Sequence, residues 1–241
     1  MDDNLRNKIL REVNKVKTYY WTQVQTNIAY NNAGSFLFRI FDFEKLIKKI
    51  RETIREKRFS EEFEQYTINR WYNYLTQLIV QDFFARHPRV RIEENRRSLY
   101  VDIYIDGNPF DIKMTPLPKA FAKKFEEVFK NPTDLIKWLY ESEGAHRFHT
   151  SPKIFIVVVD LDDFQASWKL KRQFDVIEKV VNKYLEKTRG SEYFRNFTFK
   201  IRKTVFKVKM ADLFFIVKQK GRYFGRFFLW KRNKPTFVDV V

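Results

Sequence analysis

Residues 100–114 read YVDIYIDGNPFDIKM. Apolar and polar residues alternate on either side of Asp106-Gly107-Asn108-Pro109, which is the pattern of two β-strands joined by a turn. In the simplest register Ile105 pairs with Phe110, so that Tyr104 lies opposite Asp111 and Asp102 opposite Lys113. Side chains two apart share a face. Asp102, Tyr104, Asp111 and Lys113 then project from one side, while Val101, Ile103, Ile105, Phe110, Ile112 and Met114 form an apolar side suited to a core. Diagonal neighbours across such a pair have Cβ atoms about 7 to 8 Å apart, so the carboxylates of Asp102 and Asp111 are placed to converge.

The period changes on both sides of this hairpin. Upstream, Ile68, Trp71, Leu75, Leu78, Ile79 and Phe83 recur at helical spacing over 66–86, and His87-Pro88 ends the helix because a residue before proline avoids the helical region. Val90 and Ile92 suggest a short strand. Helical patterns also run through 4–30 and 43–58, with a break at 31–35. Downstream, 119–130 and 132–141 read as helices. Residues 154–159 form a continuous apolar, β-branched run of the kind a strand covered on both faces shows. A further helix is expected over 167–186, and strands again from 196. Helix, three antiparallel strands, helix, strand, helix is an α/β order. The expected organisation is an N-terminal helical region (1–65), an α/β core (66–190) and a basic, aromatic-rich β extension packed on the core (191–241).

Composition narrows the function. The 241 residues are 44% hydrophobic and 18% aromatic, with 6 Gly, so the chain can bury a core and is no low-complexity tail. With no cysteine, disulfide scaffolds, zinc ribbons and thiol nucleophiles drop out. No run approaches the length of a membrane span, and residues 1–11 lack the apolar segment of a secretory leader, so a cytoplasmic protein is expected. A net charge of +17 points to a polyanionic partner. The last 46 residues hold 12 Lys and Arg against 2 Asp, a net +10. Lys200, Arg202, Lys203, Lys207, Lys209, Lys220, Arg222 and Arg226 are the candidate phosphate contacts there. Interleaved rings such as Phe199, Phe206, Tyr223, Phe227 and Phe228 suit either base stacking or a buried face.

Two carboxylates and a lysine on one face of a hairpin support two readings. On a solvated face they are a cross-strand ion pair. In a pocket, Asp102 and Asp111 would bind an oxygen-seeking cation such as Mg²⁺ or Mn²⁺, and Lys113 would address the phosphate it holds, the requirement for phosphodiester hydrolysis. Asp102, followed by Asp111-Ile112-Lys113 on the next strand after a helix, resembles the PD-(D/E)xK nuclease superfamily, the fold of many restriction endonucleases. The string from Ile105 to Phe121 also looks like an uncharacterised prokaryotic restriction-endonuclease-like family. This resemblance covers 69–170 and implies a metal-dependent endonuclease acting on DNA, of the type II restriction or related defence kind, with Asp102, Asp111 and Lys113 catalytic and the Ile112 carbonyl a further metal ligand. The chain departs from the pattern in two places. Val101 stands where proline is usual, and the glutamate expected on the preceding helix is missing: Gln77 falls near that position and Asp82 is the nearest acid. Arg147, before the 154–159 strand, is a further candidate for substrate phosphate. RNA is an alternative substrate, a non-catalytic nucleic-acid-binding protein an alternative function, and a homodimer is expected because cutting a duplex commonly takes two active sites.

Overall fold

The computed structural model describes residues 1–19, 27–95, 98, 100–122, 124–142, 152–188, 196–201, 204–209, 211–231 and 234–240. These fall into two compact units, Met1–Ile79 and Val80–Val241.

The first unit is helical: α1 (Asp3–Val13), α2 (Ile28–Ala33), α3 (Phe43–Lys57) and most of α4 (Glu62–Ala85). Asp2, Asn27 and Asp42 cap α1, α2 and α3 by accepting backbone N–H groups at their starts. Arg58, at a positive φ of 53°, closes α3. Its core gathers aromatic rings around Phe63, Trp71 and Tyr72, all fully buried. The Trp71 indole N–H donates to the Ile40 carbonyl at 2.5 Å, and Glu12 accepts the Phe43 N–H at 2.8 Å.

The second unit is built on a seven-stranded mixed sheet. Its strands are β1 (Val90–Ile92), β2 (Ile103–Ile105), β3 (Asn108–Pro116), β4 (Lys153–Asp160), β7 (Ala211–Gln219), β8 (Arg222–Lys231) and β9 (Lys234–Asp239), in the spatial order β1-β2-β3-β4-β7-β8-β9. Two further strands, β5 (Asn196–Ile201) and β6 (Thr204–Lys209), pair separately. β4 is parallel to both β3 and β7, and all other pairs are antiparallel. Helices α5 (Lys119–Ala122), α6 (Phe125–Lys130) and α7 (Thr133–Ser142) connect β3 to β4. A 3-10 segment, Phe164–Arg172, and α8 (Phe174–Lys187) follow β4. Every residue of β4 is buried, as its unbroken apolar run requires. Phe155, Val157 and Val159 join a cluster with Leu135, Ile136 and Tyr140 of α7 and with Leu213, Phe215 and Val217 of β7. On the other face Phe214 contacts Phe84 of α4, Tyr184 of α8 and Phe227. The chain is thus an α/β protein. No helix among the described residues is long and apolar enough to cross a membrane.

β7, β8 and β9 continue the sheet, with β7 beside the central β4. The reason is the run Leu213 to Val217, buried throughout, which only an interior strand position can cover. The hairpin register moves by two residues from the expected one. Ile103 pairs with Phe110, Tyr104 with Pro109 and Ile105 with Asn108. The turn is Asp106-Gly107 alone, with φ of 48° and 79°, the left-handed pair of a two-residue hairpin. A shift of two preserves sidedness, so Ile103, Ile105, Phe110 and Ile112 stay in the core. Arg89 forks onto the Asp106 carboxylate with contacts of 2.8 and 3.1 Å from its Nε, and also donates to the carbonyls of Leu185 and Thr188 at the end of α8. This fastens the turn to the helix beneath it.

Candidate active site

The end of β2 decides the geometry. Asp102 sits one residue before the strand: its N–H donates to the Phe110 carbonyl at 2.8 Å, and its Oδ2 accepts the Ile112 N–H at 2.7 Å. The side chain takes the place of a backbone acceptor on the β3 edge. Its carboxylate is therefore held against β3 by the same hydrogen bonding that builds the sheet. The Ile112 carbonyl projects from the same edge as its N–H, as strand geometry requires. On the other oxygen, Gln81 of α4 donates Nε2–H to Asp102 Oδ1 at 2.8 Å.

Asp111 lies in β3 at 3% exposure. Its Oδ1 is 2.8 Å from the ammonium of Lys113, whose side chain is 40% exposed. Its Oδ2 is 3.2 Å from the ammonium of Lys153, which is fully buried. Lys153 opens β4 directly opposite Asp111 in the parallel register, and its ammonium lies 5.3 Å from the centre of the Tyr140 ring. Burial, and then the negative charge of Asp111, push the Asp102 carboxyl up to about 6, against the pull of the Ile112 N–H and of Lys113. The hairpin thus forces two carboxylates together in a part-dry site with lysines at its wall. The chain matches no family model, no curated protein and no solved structure.

The structure brings together Asp102, Asp111, Ile112 and Lys113 and adds Gln81 and Lys153. Gln77 lies one turn before Gln81 on α4, within the first unit. Asp82 is in an ion pair with Arg86 at 2.8 Å, and Arg86 also reaches Glu178 of α8 at 2.7 Å. That network supplies the partner a buried carboxylate needs. Arg147 lies outside the described residues, as do Arg202 and Lys203. Lys200 and Lys209 belong to β5 and β6 by backbone only. Lys207, Lys220 and Arg222 are exposed. Arg226 instead pairs with Asp239 and lies over the rings of Phe129 and Phe237 at 4.6 and 5.1 Å. Phe227 and Phe228 are buried, so these two rings serve the core and not base stacking; Tyr223 remains exposed.

Among the described residues no group of three or more His, Asp or Glu side chains converges to hold a metal ion. The ligand atoms at the hairpin are those of two carboxylates and a backbone carbonyl, all oxygen, which is the chemistry Mg²⁺ and Mn²⁺ select. Burial first and the charge of Asp111 second raise Asp102, and a cation between the two carboxylates would offset both. On this count the residues fit a divalent ion that takes its remaining ligands from water or phosphate.

Proposed function

We propose that the chain is a divalent-metal-dependent endonuclease with a restriction-endonuclease-like core, acting on DNA phosphodiester bonds and related to type II restriction or defence nucleases of the PD-(D/E)xK kind. The observation that carries this reading is the closeness of the Asp102 carboxylate, held against β3 by the Ile112 N–H, to that of Asp111, with Lys113 paired to Asp111. Asp102 and Asp111, with the Ile112 carbonyl, would hold the ion. When bound, such an ion polarises a phosphoryl oxygen and lowers the pKa of a coordinated water. Gln81 orients Asp102 by donating to Oδ1, and the Ile112 N–H fixes Oδ2. Lys113 is the solvent-facing charge of the site. With 40% of its side chain exposed, it can leave Asp111 Oδ1 and neutralise charge developing on a phosphate. The exposed Lys207, Lys220 and Arg222 supply phosphate contacts away from the chemistry.

A second reading, a nucleic-acid-binding protein without catalysis, draws support from the two lysines on Asp111, which balance its charge without any metal. One substitution separates the two. Purified protein with Mg²⁺ or Mn²⁺ is expected to cleave plasmid DNA, and Asp111→Ala to abolish cleavage while binding persists. A wild-type protein that cuts neither DNA nor RNA with either metal removes the enzyme reading; cleavage of RNA alone would redirect it to an RNA nuclease. A homodimer in light scattering is the expected state for a duplex-cutting enzyme.

A further inference from the structure

We propose that Arg91 of β1 is a second phosphate contact of the hairpin site, taking the nucleic-acid backbone beside the phosphate that Lys113 addresses. This rests on the nuclease reading above and extends it from the reacting phosphate to its neighbours on the same strand. Strand register puts Arg91 on the face of the site. Arg91 pairs with Tyr104, and Tyr104 with Pro109. Residues paired across antiparallel strands share a side, and so do residues two apart along one strand. Pro109 is therefore on the side of Asp111 and Lys113, and Tyr104 and Arg91 are there with it. Ile103, Phe110 and Ile112 face the other way, into the core. β1 is the edge strand of the sheet, so the row from Lys113 through Tyr104 to Arg91 runs out to the margin of the sheet.

The side chain of Arg91 is exposed, and its guanidinium carbon lies over the Tyr104 ring, 4.2 Å from the ring centre. The ring is itself held. Its hydroxyl donates to Glu93 Oε2 at 2.6 Å, and Glu93 Oε1 accepts the Asn95 N–H at 2.9 Å. Glu93 follows Arg91 by two residues, but both oxygens of its carboxylate are turned to these partners, and among the described residues Arg91 forms no ion pair. The ring takes no net charge off the guanidinium, whose planar fork of N–H donors matches the oxygens of a phosphate. The result is a cation held in place before any ligand arrives, which lowers the ordering cost of binding. Neighbouring strands lie about 4.8 Å apart, so β1 is two spacings, or about 10 Å, from β3. Each strand of a duplex carries a phosphate per about 3.4 Å of helix axis, so a phosphate at Arg91 belongs to a nucleotide within about three of the one at Lys113.

The test is equilibrium binding of a fluorescein-labelled DNA duplex to the intact chain in EDTA over a salt series, so that neither metal nor cleavage enters. A matching RNA duplex is run alongside, and the variants are read on the form that binds. Arg91→Gln is expected to weaken binding about tenfold, the loss of one charge-assisted contact, and to lower the slope of log affinity against log salt by about 1. Arg91→Lys keeps the charge and is expected to keep the slope while binding less tightly, because an ammonium lacks the fork. Tyr104→Leu removes the seat of the guanidinium and is expected to weaken binding in the wild type but to add little to Arg91→Gln. If the Arg91–Tyr104 contact served folding alone, Arg91→Gln would lower the midpoint of urea unfolding and leave affinity and slope unchanged. That result overturns the inference and leaves the metal-dependent reading intact. A chain that shows the expected dependence on Arg91 yet cuts nothing with Mg²⁺ or Mn²⁺ removes the nuclease and keeps the contact, whereas a wild type that binds neither duplex overturns both.

Discussion

The group that most directly exposes the energetics of this fold is Asp212, near the start of β7. Its carboxyl is 6% exposed and meets the hydroxyl of Tyr184 from α8 at 2.5 Å. Burial pushes it up to about 7, against the pull of that hydroxyl. In an unfolded chain the same group titrates near ~3.9. Below that pH both states hold the proton. Between about 4 and about 7 only the folded state does, so protonation favours folding there, and the benefit is lost as pH rises through about 7. The interval corresponds to about 4 kcal/mol, an upper figure for what the buried charge costs at pH 8. Asp212→Asn keeps the shape and a partner for Tyr184 but cannot ionise. Urea unfolding of both proteins from pH 4 to pH 8.5 is expected to give similar stabilities at the acid end. By pH 8 the Asp212→Asn variant should be the more stable by a few kcal/mol. The repulsion from a net charge of +17 acts on both proteins and cancels in the difference. A difference that is constant across this range would refute the argument, because it would place the effect of the substitution in packing and not in a titrating carboxyl.

Packing gives a second prediction. A Cβ on Gly225 of β8 would lie 2.2 Å from a methyl of Val180 and 3.3 Å from one of Val176, both on α8. Gly225→Ala is expected to cost about 1 to 3 kcal/mol in urea unfolding, with Val180→Ala in the same chain recovering part of it. An unaffected Gly225→Ala would mean that α8 is not seated on β8. For the nucleic-acid face, Lys220→Gln with Arg222→Gln leaves the turn backbone tied to Asp162, whose carboxylate accepts the N–H groups of Lys220 and Gly221 at 2.7 and 2.9 Å. The pair of substitutions is expected to weaken duplex binding and to lower the slope of log affinity against log salt by about 2, roughly one for each cationic side chain removed from a phosphate. An unchanged slope would move the interface away from this turn.

The hairpin, the helix before it and the buried strand after it are all legible in the sequence, because each has an uninterrupted period and a clear stop. The register is not. Asn108-Pro109 reads as the second half of a four-residue loop, yet Pro109 is tolerated inside β3, and Asp106-Gly107 alone satisfies the left-handed turn. Gln81 and Lys153 escape the sequence for different reasons. Gln81 lies one helical turn beyond Gln77, and the choice between them depends on where Asp102 ends up, which the register decides. Lys153 reads as a charge flanking an apolar strand. Only the parallel pairing of β3 with β4, invisible to local periodicity, sets it against Asp111. A signal is present: a lysine continuous with a strand that has no exposed face must itself be buried, and so needs a carboxylate. The C-terminal basic stretch misleads through its average. Its charge is real, but the run from Leu213 to Val217 marks an interior strand.

The place of β7 also governs how this chain can be made. The ribosome releases β4, ending at Asp160, well before β7, starting at Ala211, so until β7 emerges β4 presents an open and almost wholly apolar edge. Unpaired edges of that kind recruit other chains. A C-terminal deletion meant to strip positive charge would leave that edge open permanently and yield aggregates, and for that reason charge on this chain is better altered by substitution. Nascent chains that stall before residue 211 should depend on chaperones for solubility, whereas a chain extended through β7 protects the edge by itself.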